Sequence, residues 1–457
     1  MVDLRRRKRR GRVAPPKASA VRRSPGRRNP VPARYAWPLG ITVALAARYG
    51  TESLRHRRES GHGNDLYGAG ELDVRDPGFL RAAEALTGAP ISWGDEVELL
   101  INGDRIFPCY LATIRSAEKT ICLLTYVYWR GDIAREVADA LCERARAGIE
   151  VNVIIDAVGG LKIERELVDR MTDAGVRVTK FRPPKPYAAR RVANRTHRKI
   201  LVADGSVGLT GGVGIAEEWT GDAEDTDHWR DTHVRVRGPV VRGLLGAFAE
   251  NWLEATGEVL VGDGYLPELE QAEGGGPMMV VRSSAGVGDT NVEALYYLAI
   301  AAARETLDLT AAYFAPRPAF IDALCDAAER GVRVRVLVPG PNIDKPPVWV
   351  AGRVAYDQLL GCGVEIFEFQ PTMLHAKSMV VDGAWSSVGS VNFDNRSFQL
   401  HDEATLCVLS DAFARGLTDQ FERDLERSEK IDPERWKGRG PLQRTTESAL
   451  KLVRREL

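Results

Sequence analysis

Ala140-Leu-Cys-Glu-Arg-Ala-Arg-Ala-Gly148-Ile-Glu-Val-Asn-Val-Ile-Ile-Asp156 is matched by Ala323-Leu-Cys-Asp-Ala-Ala-Glu-Arg-Gly331-Val-Arg-Val-Arg-Val-Leu-Val-Pro339. Each reads as the end of a helix, a glycine, and then a strand. In the first copy Ile133, Val137 and Leu141 recur at helical spacing and form one apolar stripe. Gly148 and Gly331 stand where a left-handed residue closes a helix, and the alternation that follows is that of a β-strand. Upstream of each helix lies another apolar run, Thr120–Trp129 in one half and Thr306–Phe314 in the other. Strand, helix and strand in this order predict α/β layers. A unit of this length occurring twice predicts two similar lobes rather than a solenoid.

The expected boundaries follow from composition. Residues 75–277 form the first lobe, the Gly-rich run Glu273-Gly274-Gly275-Gly276-Pro277 is the join, and residues 278–457 form the second, closing in an amphipathic helix from Gly440 to Leu457. The preceding segment, 1–74, is different. Its first 30 residues hold twelve Lys or Arg against Asp3 alone, so a chain that is formally neutral overall carries a basic arm on an acidic body. Such an arm lacks the apolar residues to bury a core and is expected to be disordered in isolation. Anionic lipid headgroups are its favoured partner, at roughly 1 kcal/mol per basic residue near such a surface, with nucleic acid or plain solvent as alternatives. Tyr35–Ala47 is apolar but interrupted by Pro38 and Gly40. It is shorter than the ~20 residues a spanning helix needs, which points to a peripheral membrane protein.

The six cysteines (Cys109, Cys122, Cys142, Cys325, Cys362, Cys407) have neither paired spacing nor nearby histidines, so reduced, buried thiols are expected and a cysteine metal site is not.

The duplication also carries polar residues. His197-Arg-Lys199-Ile-Leu-Val-Ala-Asp204-Gly205 is repeated as His375-Ala-Lys377-Ser-Met-Val-Val-Asp382-Gly383. On an extended strand, residues two apart share a face, so each His lies beside its own Lys. An imidazole next to a cation suits attack on a phosphodiester: the ring supplies electrons or a proton while the cation neutralises phosphoryl oxygens. Asp204 and Asp382 have the other parity and precede glycine, which is a hairpin-turn signal. Small residues follow at one offset in both halves, Gly211-Gly212 and Gly389-Ser390, with Asn392 shortly after the second pair. Gly212 and Ser390 permit close backbone approach to a phosphate, and Asn392 offers a side-chain donor. Asp231 and Glu403 open matching strands and are candidate orienters for the two imidazoles. His228, His233 and His401 have no counterpart in the other half and read as structural or near-site.

A lone His-x-Lys is commonplace; two copies with matched flanking residues are not. The double His-x-Lys-x4-Asp pattern resembles the phospholipase D superfamily over nearly all of residues 90–435. Asn194-Arg-Thr-His197-Arg-Lys199, Thr210-Gly-Gly212, Trp229-Arg-Asp231-Thr-His233, Tyr313-Phe-Ala-Pro316 and Gly389-Ser-Val-Asn392-Phe-Asp-Asn395-Arg-Ser397 are similar to its cardiolipin synthase branch.

The resemblance implies two lobes, each a mixed β-sheet flanked by helices, with one active site between them that a monomer completes. It implies a catalytic set of His197, Lys199, Asp204, His375, Lys377 and Asp382, with His197 as nucleophile, His375 as general acid and base, and no metal or cofactor. It further implies a phosphatidyltransferase that uses a phospholipid such as phosphatidylglycerol at the cytoplasmic face of the cell membrane. Hydrolysis of phospholipids or other phosphodiesters is the alternative enzyme reading. A silent lipid-binding scaffold would have no need of both His-x-Lys pairs. Two features depart from the branch: Gly214 stands where asparagine is common, and the apolar stretch before the first lobe is thinner than the two transmembrane helices of many relatives.

Overall fold

The computed structural model describes residues 72–184, 194–269, 276–285 and 289–438. The basic arm, the apolar stretch 35–47, most of the Gly-rich join and the closing stretch 440–457 lie outside the described residues.

The first half forms a seven-stranded mixed sheet from β1 (Glu96–Ile101), β2 (Thr120–Thr125), β3 (Glu150–Asp156), β4 (Arg177–Phe181), β6 (Ile200–Ala203), β7 (Val207–Gly211) and β8 (Thr232–Arg237), in the order β1-β8-β7-β6-β2-β3-β4. Between β4 and β6 comes the short β5 (Arg195–Thr196). The second half contains β9 (Met278–Ser283), β10 (Thr306–Ala311), β11 (Phe314–Ala315), β12 (Arg333–Pro339), β13 (Glu365–Phe369), β14 (Lys377–Val381), β15 (Trp385–Gly389), β16 (Phe393–Asp394), β17 (His401–Leu409) and β18 (Ser428–Lys430). Its main path runs β18-β13-β12-β10-β14-β15-β17-β5, and β9 pairs with β17. Apart from β18 and β5 at its ends, this repeats the first sheet strand for strand. The register agrees, since β2 pairs parallel with β3 and antiparallel with β6, as β10 does with β12 and β14.

The duplicated helix–glycine–strand segments fold alike. Helices Asp132–Arg146 and Pro318–Glu329 are followed by Gly148 at φ 90° and Gly331 at φ 95°, the left-handed geometry that lets the chain reverse into β3 and β12. Those strands are buried after their first residue, as parallel strands covered on both faces should be.

The lobes are tied by more than contact. β5 belongs to the first half in sequence yet pairs parallel with β17, placing Arg195 opposite His401 and Thr196 opposite Asp402. One apolar cluster draws on both lobes, uniting Leu244, Phe248 and Trp252 of helix Val241–Thr256 with Val280, Val388 and Leu406. Helix Pro77–Thr87, which the expected boundary assigned to the first lobe, packs Phe79 and Ala83 into the second lobe's core, where Phe79 meets Trp385 edge to face.

Cysteine chemistry departs from expectation. Cys325 and Cys362 are joined by a disulfide with their Cα atoms 5.4 Å apart, while Cys109, Cys122, Cys142 and Cys407 are free. The pairing arises because helix Pro318–Glu329 packs beside the end of helix Tyr356–Gly361, a proximity that a spacing of 37 residues does not announce. Among the described residues no helix is long and apolar enough to cross a membrane.

Candidate active site

Each histidine is positioned by the lobe to which it does not belong. The backbone N–H of His197 donates to the carbonyl of Asp402 at 2.8 Å, and that of His375 donates to the carbonyl of Arg230 at 2.7 Å. These contacts extend the β5–β17 pairing on one side and a parallel bridge between Arg230 and Leu374 on the other. The residue after each accepting carbonyl supplies the orienting carboxylate. Nδ1 of His197 lies 3.1 Å from both oxygens of Glu403, and Nδ1 of His375 lies 2.8 Å from Oδ2 of Asp231.

The small residues complete this approximate two-fold arrangement. The carbonyl of Ser390 is 3.0 Å from Nδ1 of His197, and that of Gly212 is a backbone partner of the His375 ring. Ser390 also donates its hydroxyl to Glu403. Gly212 has no such group, because a Cβ there would sit 2.1 Å from Oδ1 of Asp231. Its carboxylate takes a hydrogen bond from the Trp219 indole instead, at 2.8 Å. These contacts engage Nδ1 of each ring, and Nε2 of His375 lies 3.1 Å from Nζ of Lys377.

Both lysines are buried beside their histidines. Nζ of Lys199 donates to the His197 carbonyl at 2.7 Å; Nζ of Lys377 donates to the His375 carbonyl and lies 2.9 Å from its Nδ1. Burial, reinforced by the Lys377 charge, holds the Lys199 ammonium well below the usual lysine range. Lys377 is pushed down to about 8, mainly by burial, with Asp231 and Glu403 opposing. The influence of Lys377 on Lys199, and of both lysines on His375, shows that the two motifs share one electrostatic environment.

Burial likewise drives both imidazoles well below their normal range, so each is neutral near pH 7. Burial pushes Glu403 up, but the His197 ring and its hydrogen bond outweigh that and hold the carboxyl below its normal range. Burial shifts Asp231 upward from the ordinary aspartate value, outweighing Lys377 and its hydrogen-bond donors. The site is thus a buried cluster of two neutral rings and two lysines, of which Lys377 stays charged near pH 7, suited to binding an anion and exchanging the substituents on it.

Asp204 and Asp382 are not in this cluster. Each caps the far end of its strand with positive φ, 52° and 51°, as the Asp-Gly turn signal anticipates. The Asp204 carboxylate accepts from the amides of Glu118, Lys119 and Thr120, and Asp382 accepts from Arg304, Glu305 and Thr306. Asp204 lies five extended steps along the chain from Lys199, a span of roughly 16 Å. The Asp of each motif thus clamps a turn through backbone amides, at the opposite end of its strand from the Lys.

Asn392 is buried, with its carboxamide oxygen lacking a partner among the described residues. Its matched position, Gly214, is filled from elsewhere: a Cβ on Gly214 would approach Val127 at 2.8 Å and the Trp219 ring at 3.2 Å. Trp219 thus takes the space of the expected asparagine and meets the His375 ring edge-on at 5.1 Å. Tyr126 does the same for His197 at 5.2 Å. Neither aromatic was picked out from the sequence, nor was Arg198. The latter is fully buried and bonds the carbonyls of Ala247, Ser283 and Glu403, clamping both lobes behind the site. His401 lies near the site, 5.6 Å from the His197 ring; His233 is buried and pushed down to about 4 by that burial; His228 pairs with Asp225 on an exposed loop. Donor atoms of His197, His401 and Glu403 converge within 4.8 Å, but there Glu403 is already engaged by His197 and Ser390.

Comparison with known proteins agrees with this geometry. A family described as cardiolipin synthase, PLD-like domain, matches residues 110–226 and 296–425. The chain is 33% identical over 377 residues to a cardiolipin synthase of Alkalihalophilus pseudofirmus, covering 82% of this chain and 75% of that protein. It is 33% identical over 379 residues to cardiolipin synthase 2 of Bacillus anthracis, covering 82% and 73%. In fold it is similar to the crystal structure of phosphatidylserine synthase from Haemophilus influenzae, with a TM-score of 0.61 at 15% identity, covering 83% of this chain and all (100%) of that one.

Proposed function

This chain belongs to the phospholipase D-like cardiolipin synthase family, and from that premise we propose that it transfers a phosphatidyl group from one phosphatidylglycerol to the headgroup hydroxyl of another, giving cardiolipin and glycerol. The observation that carries the reading is the crossed pairing of His197 with Glu403 and His375 with Asp231, because it holds each ring against the other lobe at their junction.

Nε2 of His197 attacks phosphorus and the glycerol oxygen departs, taking a proton from Nε2 of His375. An acceptor hydroxyl then attacks the phosphohistidine, gives its proton to His375, and returns the P–N electron pair to His197. Both rings are neutral in the free site; His375 takes up a proton from solvent at Nε2 as the substrate enters, so it begins the first step as the imidazolium while His197 stays neutral. The negative charge of the entering phosphodiester offsets Lys199 and Lys377, which raises the affinity of His375 for the proton it must deliver. Lys199, Lys377 and the Asn392 amide hold the phosphoryl oxygens, in an environment of low dielectric where such contacts count most. Glu403 and Asp231 fix each ring with Nε2 inward and support positive charge as it develops.

The enzyme works at a membrane surface as a peripheral protein, with the basic arm on anionic headgroups of the cytoplasmic face. This part of the reading rests on the composition of residues 1–30.

The direct test is to incubate the purified protein with phosphatidylglycerol vesicles and resolve the lipid products, with single-stranded DNA as a parallel substrate. Cardiolipin as the main product is expected. Phosphatidic acid alone would make the protein a hydrolase, and cut DNA would make it a nuclease.

A further inference from the structure

The duplication reaches one more pair of residues. Lys162 stands six positions past Asp156 and Lys345 six past Pro339, the matched last residues of β3 and β12. Both side chains are exposed, and each ammonium rests on an aromatic ring: Lys162 lies 3.7 Å from the Trp129 centroid and Lys345 4.3 Å from that of Tyr313. Neither forms an ion pair with a carboxylate among the described residues.

The two shelves differ in how directly they reach the His375 ring, since Trp129 meets it only through Trp219. Trp129 packs toward Trp219, 6.1 Å away, whereas the Tyr313 ring stands 6.2 Å from the His375 ring at 84°. The Tyr313 hydroxyl donates to Asp344 at 2.8 Å, which fixes the shelf. Around it Ile343 and Met373 form a small apolar cluster with Trp229, Val348 and Trp349, apart from the main cores. The His375 side of the site is thus flanked by an apolar cluster, with the exposed Lys345 ammonium over Tyr313 at its edge. The charge of Lys345 is felt inside, since it helps push His375, Lys199 and Lys377 down.

We propose that Lys345, seated on Tyr313, binds the phosphodiester of the incoming alcohol, so that the site selects an anionic phospholipid acceptor over water or a neutral alcohol. This rests on the phosphatidyl-transfer reading. The acceptor enters on the His375 side, where the leaving alcohol departed, and its own phosphate is one glycerol bridge from the attacking oxygen. In that step the hydroxyl oxygen bonds to phosphorus as the bond to Nε2 of His197 breaks; the hydroxyl proton passes to His375 and the electron pair returns to His197. A cation at the rim beside His375 meets the second phosphate, while the apolar wall takes the glycerol and the start of its acyl chains. Water and short alcohols have no group for Lys345 to hold.

The test is a competition in one tube: phosphatidylglycerol vesicles with 1-butanol, reading cardiolipin against phosphatidylbutanol. Both products come from the same phosphohistidine, so folding and donor binding cancel in their ratio. Lys345→Gln is expected to lower the ratio about fivefold, the size of one exposed charge contact, and Lys345→Arg to restore it. An unchanged ratio in Lys345→Gln, or an equal fall in Lys345→Arg, overturns the proposal. Wild-type protein that forms phosphatidylbutanol but no cardiolipin overturns it too while leaving phosphatidyl transfer intact. Wild-type protein forming neither product removes the transfer reading on which it stands.

Discussion

The imidazole of His197 is held by the carboxylate of Glu403, 206 residues further along the chain, with Nδ1 3.1 Å from each oxygen. The mirror contact, His375 with Asp231, spans 144 residues in the opposite sense. Neither lobe can orient its own histidine, so the reactive geometry exists only when the two are docked.

The two carboxylates should therefore be separable by chemistry. Glu403→Gln leaves the shape but weakens support for charge on the nucleophilic ring, and Asp231→Asn does the same for the acid. Each is expected to lower kcat by about 10²–10³ with phosphatidylglycerol. With a p-nitrophenyl phosphodiester, whose leaving group needs no proton, formation of the intermediate should recover in Asp231→Asn and stay slow in Glu403→Gln. Equal behaviour of the two variants would mean the roles are not divided in this way.

The pH profile should carry a lysine. Burial first, then the charge of Lys345, lowers Lys377 to about 8, with Asp231, Glu403 and Asp344 opposing. For an amine the charged form prevails below its pKa. The cation that binds phosphoryl oxygens is thus present at pH 7 and lost as pH rises through about 8. An alkaline limb in kcat/KM near that pH is expected, and Lys377→Arg should move it upward, since a guanidinium stays protonated throughout.

Asp204 and Asp382 should behave as structural residues. Removing either carboxylate strands three backbone N–H groups at the start of β2 or β10. Asp204→Ala and Asp382→Ala are each expected to cost about 1–3 kcal/mol of stability. This would be read as a lowered denaturation midpoint with kcat per folded molecule nearly retained. A loss of kcat comparable to that of a histidine variant, in protein that remains folded, would place these groups back in the chemistry.

Much of this was legible in the residues. The repeated helix, glycine and strand announced two like sheets, and the paired His-x-Lys announced the reactive groups, because periodicity and duplication are local properties of a chain. The Asp-Gly turns were equally local. The crossing was not legible: in sequence Asp231 follows His197 and Glu403 follows His375, and nothing in that order says the partners are exchanged. Arg198 escaped because its partners are backbone carbonyls, which leave no sequence trace, and its counterpart Ala376 has no such role. Trp219 escaped because its place depends on the space above Gly214. The Cys325–Cys362 bond escaped for the same reason, being a consequence of how two helices pack.

The central claim is that His197 carries the phosphatidyl group while His375 handles the proton, and it can be tested on the intermediate itself. His375→Ala protein is mixed with a p-nitrophenyl phosphatidyl donor, quenched in alkali, digested and mapped by mass spectrometry. The account predicts a phosphorus-linked adduct on the peptide containing His197 and none on the same peptide from His197→Ala. An adduct on His375 in the His197→Ala protein, with His197 unmodified in its counterpart, would contradict it.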